Sequence, residues 1–226
     1  MQIIKRMIVQ TIGFFALFAL SLFLPAGTIA WPAGWIFLML FFGFFLATNL
    51  WLVRHNPGLL EERLSLSRPN QQGWDKLLFP VLLIFTMAWL VFMSADAVRL
   101  HWSPVAGWPQ VAGTLVLLGS FYLLFITFRE NSYLSTVVRI QGERGHSVVS
   151  TGPYHYVRHP MYAAILLFML GTSLLLGSWY GSLAGLIFIT VLARRAVLEE
   201  QMLNSELPGY TAYTQKVKYR LIPYIW

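Results

Sequence analysis

The chain has no cysteine, which excludes disulfides, thiolate metal sites and a cysteine nucleophile. It is also poor in charge. Only 11% of its 226 residues are Asp, Glu, Lys or Arg, and 9 acids face 16 basic residues. So few ionic groups cannot clothe the surface of a soluble domain. Internal repeats and low-complexity segments are lacking as well, which excludes solenoids and arrays. What fills the sequence instead is apolar: 57% of the residues are hydrophobic, and the mean hydropathy is +0.62.

The apolar residues come in long runs, near 4–24, 31–53, 77–95, 107–128, 161–177 and 179–194. A bilayer takes about 20 such residues to cross as a helix. The expected fold is therefore all-α: a polytopic integral membrane protein of about six transmembrane helices. The last two runs are separated by Gly177-Ser178-Trp179 and predict a tight antiparallel hairpin. The net charge of +7 is not read as a nucleic-acid footprint, because its distribution follows the spans. Six spans leave only Arg99 of the 16 Lys and Arg on one side. That asymmetry predicts both termini, the 54–76 loop, the 129–160 loop and the tail in the cytoplasm. The first run follows Lys5 and Arg6 but precedes no small-residue cleavage site, so it is expected to stay as a helix rather than act as a signal peptide.

Two parts differ in character. Residues 1–128 read as four spans with few internal polar groups, whereas 129–226 hold a polar loop, the hairpin and a tail. Chemistry is expected in the second. ARRAVLEEQMLNSEL continues the sixth helix out of the bilayer, and YTAYTQKVKYRLIPYIW reads as an amphipathic segment on the membrane surface. Trp31, Trp35, Trp51, Trp74, Trp102, Trp108 and Trp179 sit near span ends and read as interfacial anchors.

The stretch TGPYHYVRHPMY, residues 151–162, crowds His, Arg and Tyr against the fifth span. Pro160 suits the first position of a helix, so the unpaired N–H groups of that helix should face the polar loop and favour an anion. A second cluster, Arg194, Arg195, Glu199 and Glu200, ends the sixth span. The hairpin sets both clusters side by side at one membrane face. Arg195 and Glu199 stand at i and i+4 and are placed to pair. Two adjacent acids there also call for a cation. A ligand with a carboxylate, a cation and a flat ring would suit the pair of clusters, and S-adenosylmethionine carries all three.

RIQGERGHSVVSTGPYHYVRHPMY (139–162), an apolar hairpin, RAVLEE (195–200) and LPGYTAYTQKVKYRLIPYI, in that order, resemble the isoprenylcysteine carboxyl methyltransferase family, with the compact loops of a bacterial member. The resemblance covers about the last hundred residues. It implies a membrane-embedded methyltransferase using S-adenosylmethionine. It implies cofactor contacts from Gln141, from His146, Ser147, Val148 and Val149, from Tyr154, and from His159, Pro160, Met161 and Tyr162. It also implies a catalytic, substrate-side pair, Arg195 and Glu199, with Glu200 beside them at the acceptor.

Methyl transfer from a sulfonium is an in-line displacement with an activated donor, so positioning and desolvation suffice and no metal is required. For a carboxylate acceptor Arg195 would orient it; for a thiol or amine Glu199 is the candidate base. The acceptor is expected to be apolar, lipidic or lipidated, and the protein to sit in a bacterial inner membrane among its lipids. Phospholipid amines and small thiols are the nearest alternatives. A sterol-reductase-like NADPH enzyme is the rival from another reaction class. A transporter or scaffold would place polar groups at mid-membrane depth, where only scattered small neutral ones such as Asn49, Thr86 and Thr190 occur.

Overall fold

The computed structural model describes residues 2–68 and 70–226. These residues fold as α1 (Gln2–Ala26), α2 (Pro32–His55), α3 (Pro57–Arg63), α4 (Asp75–Ser94, prolonged by a π turn, Ala95–Leu100), α5 (Trp108–Glu130), α6 (Pro160–Leu176), α7 (Trp179–Glu206) and α8 (Tyr210–Lys216). Proline opens α2, α3 and α6, where its missing N–H costs nothing. The architecture is all-helical, as the hydropathy pattern predicts.

α1, α2, α4 with its π turn, α5 and α7 are long and apolar enough to cross a membrane, and the protein is an integral multi-pass membrane protein. α6, which completes the expected six, is a shorter apolar helix of 17 residues. At 1.5 Å per residue it reaches only about 26 Å, because Pro160 fixes its start and Gly177, at φ 91°, its end. The hairpin forms as expected: the Ser178 hydroxyl accepts from the Gly181 N–H at 2.8 Å and caps α7.

The five long helices and α6 alternate in direction and gather polar ends at one pole. There Arg6 donates to the Leu64 carbonyl at 2.7 Å, Asn56 to Ser132 at 2.7 Å, and Arg139 to Glu62 at 2.9 Å. Between the poles a single apolar core joins Leu22, Phe37, Trp89 and Leu117 to Tyr162, Leu176, Phe188 and Leu192. This core draws on both 1–128 and 129–226. The tightest crossing is α5 on α6. A Cβ on Gly171 would lie 2.6 Å from the Leu117 nitrogen, and one on Gly113 would lie 2.7 Å from the Leu175 nitrogen. Only glycine lets these backbones approach so closely.

Candidate functional site

The loop between α5 and α6 is pinned from below before it can shape a site. Glu62, on α3, pairs with both Arg139 and Arg68, at 2.9 and 3.1 Å. Asp75, at the start of α4 and fully buried, accepts the Val138 N–H at 2.9 Å and the Gln71 amide at 3.0 Å. A short turn, 142–144, then brings His146 back so that its Nδ1 receives the Gln141 N–H at 3.3 Å and its ring stacks on Tyr133. Burial, reinforced by the Arg144 charge, lowers the His146 pKa from its ordinary 6.5 to about 4. That imidazole is neutral at physiological pH.

At the start of α6 the chain bends at Arg158, and His159, at φ −124° and ψ 64°, is not in the extended conformation expected before Pro160; their N–H groups donate to the Tyr219 and Arg220 carbonyls at 3.0 and 2.8 Å. Glu200, on α7, is the hub beneath them. One oxygen receives Arg158 Nε at 2.6 Å and faces His159 Nε2 at 3.2 Å; the other receives Arg220 Nε at 2.8 Å and Arg158 Nη2 at 3.3 Å. One helix position away, Glu199 accepts the Tyr162 hydroxyl at 2.6 Å, and the His159 and Tyr162 rings lie parallel, 5.3 Å apart. Adjacent acids on one helix thus have different duties. Glu200 is consumed by the protein's own cations, and Glu199 faces the cavity.

That cavity, with the open solvent at its mouth, spans about 790 Å³ of non-atom space. Its wall takes in His146, Ser147, Val148, Val149, Tyr154, His159, Met161 and Tyr162 together with Arg195 and Glu199. Residues expected to act together are therefore brought together. Gln141, Pro160 and Glu200 are not on the wall. Gln141 is fully buried, its amide donating to the Tyr133 carbonyl at 2.6 Å and accepting from Arg144, so it builds the turn that carries His146. Pro160 is buried under the α6 start, and Glu200 is occupied as described. The expected Arg195–Glu199 pair is also corrected. Arg195 Nη2 lies 3.0 Å from Asp75 Oδ1 and 3.0 Å from the Thr136 carbonyl, because α4 presents a buried carboxylate within its reach.

Several wall residues escaped the sequence reading. The tail does not form a separate surface segment: Tyr210 and Tyr213 of α8 are buried and line the cavity, and the Tyr213 hydroxyl donates to the Tyr154 carbonyl at 2.7 Å. Asn131 donates to the Tyr154 hydroxyl at 2.8 Å. Burial drives the Tyr154, Tyr210 and Tyr213 pKa values upward, so these phenols stay protonated and act as polarisable neutral faces. Asp75 carried a usable signal, being one of only 9 acids and standing at the start of an apolar run.

Two buried polar atoms of the wall residues lack a hydrogen-bond partner among the described residues: Arg195 Nε and the Tyr210 hydroxyl. Unmet donors at a cavity point to a ligand that meets them. With Glu199 and several aromatic rings beside them, the donor set suits a molecule carrying both a cation and oxygen acceptors. S-adenosylmethionine fits that description.

Residues 108–207, from the first residue of α5 to the residue after α7, match the family described as phospholipid methyltransferase. The protein-S-isoprenylcysteine O-methyltransferase of Schizosaccharomyces pombe is 30% identical over 102 residues. That match takes in 44% of this chain and 43% of the relative, so it spans less than half of either protein. Asp75 and the α8 tyrosines lie outside the family match.

Proposed function

We propose that the protein is an S-adenosylmethionine-dependent membrane methyltransferase acting on an apolar or lipidic acceptor. The carrying observation is the single cavity that unites the 146–149 backbone, Tyr154, His159 and Tyr162 with Arg195 and Glu199. The family match over 108–207 and the fission-yeast relative support the same reaction class. The positive-inside distribution supports placing this pole at the cytoplasmic face, where the donor is made.

When bound, S-adenosylmethionine supplies a methyl group on a sulfonium that leaves as a neutral thioether. The chain's part is placement. Tyr154, Tyr162, Tyr210 and Tyr213 present aromatic faces and Glu199 a carboxylate, which together favour a cation and exclude water from it. Arg195, held by Asp75, has its Nε free to donate to an acceptor oxygen. The Glu200 hub holds Arg158 and His159 so that the cavity's floor is set before any ligand arrives.

The free Arg195 donor favours an oxyanion acceptor, hence carboxyl O-methylation, for which no base is needed because a carboxylate is already ionised at neutral pH. An amine acceptor is the second reading. It is favoured by Glu199, which could take a proton, and by the phospholipid methyltransferase match.

Titration calorimetry of the detergent-purified protein with S-adenosylmethionine, S-adenosylhomocysteine and NADPH tests the proposal. Micromolar binding of the first two, weakened in His159→Ala and Tyr162→Ala, is the expected result. Binding of NADPH alone would replace the methyltransferase with a reductase.

A further inference from the structure

A second cavity lies deeper, between α2, α4, α5, α6 and α7, and encloses about 1030 Å³, open space at its mouth included. Phe41, Phe44, Phe45, Phe168 and Phe188 give it an apolar shaft. Met161 belongs to the walls of both cavities, so a flexible thioether stands between the shaft and the polar site. Along α2 the wall runs from Phe41 to Asn49, on the order of 12 Å of helix.

The shaft is not apolar throughout. At its polar pole stands Arg63, the last residue of α3, with its guanidinium 4.1 Å above the Phe128 ring. Arg63 donates one hydrogen bond, to the Leu134 carbonyl at 3.3 Å, and has no carboxylate partner among the described residues. Arg68, Arg139, Arg158, Arg195 and Arg220, by contrast, each pair with an acid, while Arg6 and Arg144 at the same pole bond to the Leu64 carbonyl and the Gln141 amide. Asn49, also on the wall, is 5% exposed, and its Nδ2 has no hydrogen-bond partner. A cation without a counter-charge and an amide donor without a partner, set beside phenylalanines, are costly unless something answers them.

We infer that Arg63 and Asn49 form a head-group subsite for an anionic amphiphile, whose oxyanion they hold while its chain lies along the phenylalanine shaft. Planar guanidinium and amide donors match the paired oxygens of a carboxylate or a phosphodiester. The subsite is separate from Arg195, which Asp75 already neutralises. It deepens the methyl-transfer reading by assigning the acceptor a negative group next to its apolar chain.

Binding measured without any methyl donor tests this. Palmitate, hexadecylphosphoethanolamine and hexadecanol are titrated into the protein in one neutral glycoside detergent. The detergent competes equally with every probe, so only the ratio between probes is read. Palmitate and the zwitterionic phosphoethanolamine, each of which offers an oxyanion, are expected to bind at least about tenfold more tightly than the alcohol, a difference of about 1.4 kcal/mol. Preference for palmitate assigns a carboxylate to the subsite, and preference for the phosphoethanolamine assigns it a phosphodiester. Arg63→Met should erase the preference while keeping hexadecanol binding, Arg63→Lys should retain part of it, and Asn49→Leu should reduce it. Equal affinity of wild-type protein for all three probes would overturn the subsite, as would a preference that survives Arg63→Met. A chain that prefers anions yet never binds S-adenosylmethionine sinks the methyl-transfer reading alone.

Discussion

Arg195 and Asp75 stand 120 positions apart in sequence, yet the Arg195 guanidinium lies 3.0 Å from the Asp75 carboxylate, both side chains nearly inaccessible. A charge this deep is tolerated only with its partner, and removing one member of a buried pair costs about 3–5 kcal/mol. Asp75→Asn should therefore lower the melting temperature in detergent and abolish methyl transfer. Asp75→Asn combined with Arg195→Met should recover much of the stability and none of the turnover. A single variant as stable as wild type would show the pair to be idle.

Glu200 is predicted to act through position rather than contact. It binds Arg158, Arg220 and His159 at once, and Arg158 in turn donates to the Val217 and Lys218 carbonyls. In Glu200→Gln a neutral amide cannot answer two guanidinium groups. Hydrogen exchange should rise at residues 158, 159 and 217–220, and S-adenosylmethionine affinity should fall about tenfold, or 1.4 kcal/mol. Unchanged exchange in that segment would remove Glu200 from its role as hub.

Glu199, by contrast, is expected to matter to the reaction more than to the fold. Its visible partner is the Tyr162 hydroxyl, and it faces the cavity. Glu199→Gln should keep its stability within about 1 kcal/mol of wild type and lose turnover. A variant that transfers methyl groups at the normal rate would exclude Glu199 from the site.

Gly171 and Gly113 are the closest points of the α5–α6 crossing. Gly171→Leu forces a side chain against backbone, where overpacking costs about 1–3 kcal/mol or more. Aggregation or a lowered melting temperature is the expected outcome, whereas Gly119→Leu, where a Cβ meets nothing within 4 Å, should be neutral.

The pH dependence follows from His146. Its pKa falls on folding from 6.5 to about 4, so the unfolded chain binds the extra proton between those values. Stability contributed by the neutral ring is complete above pH 6.5 and is lost as pH drops through that window. Melting curves from pH 7 to pH 4 should show this loss, and His146→Gln should flatten it. A parallel decline in the variant would assign the effect to other groups.

Apolar runs of bilayer length, the breaks at Pro160 and Gly177, and RxxxEE at hairpin distance from the His159 cluster were legible in the chain itself. Each is local, set by helix period, proline geometry or connection length. Residues 146–149, 154, 159, 161, 162, 195 and 199 line one cavity for the same reason. Their elements are joined by short connections. Tertiary structure alone decided the pairings. Arg195 turns from Glu199 to Asp75, Glu200 is claimed by Arg158 and Arg220, and the α8 tyrosines become a wall. Helix spacing tells which groups share a face. It does not tell which distant carboxylate arrives there first, because that depends on how α4 and the tail pack around α7, which neither helix period nor connection length encodes.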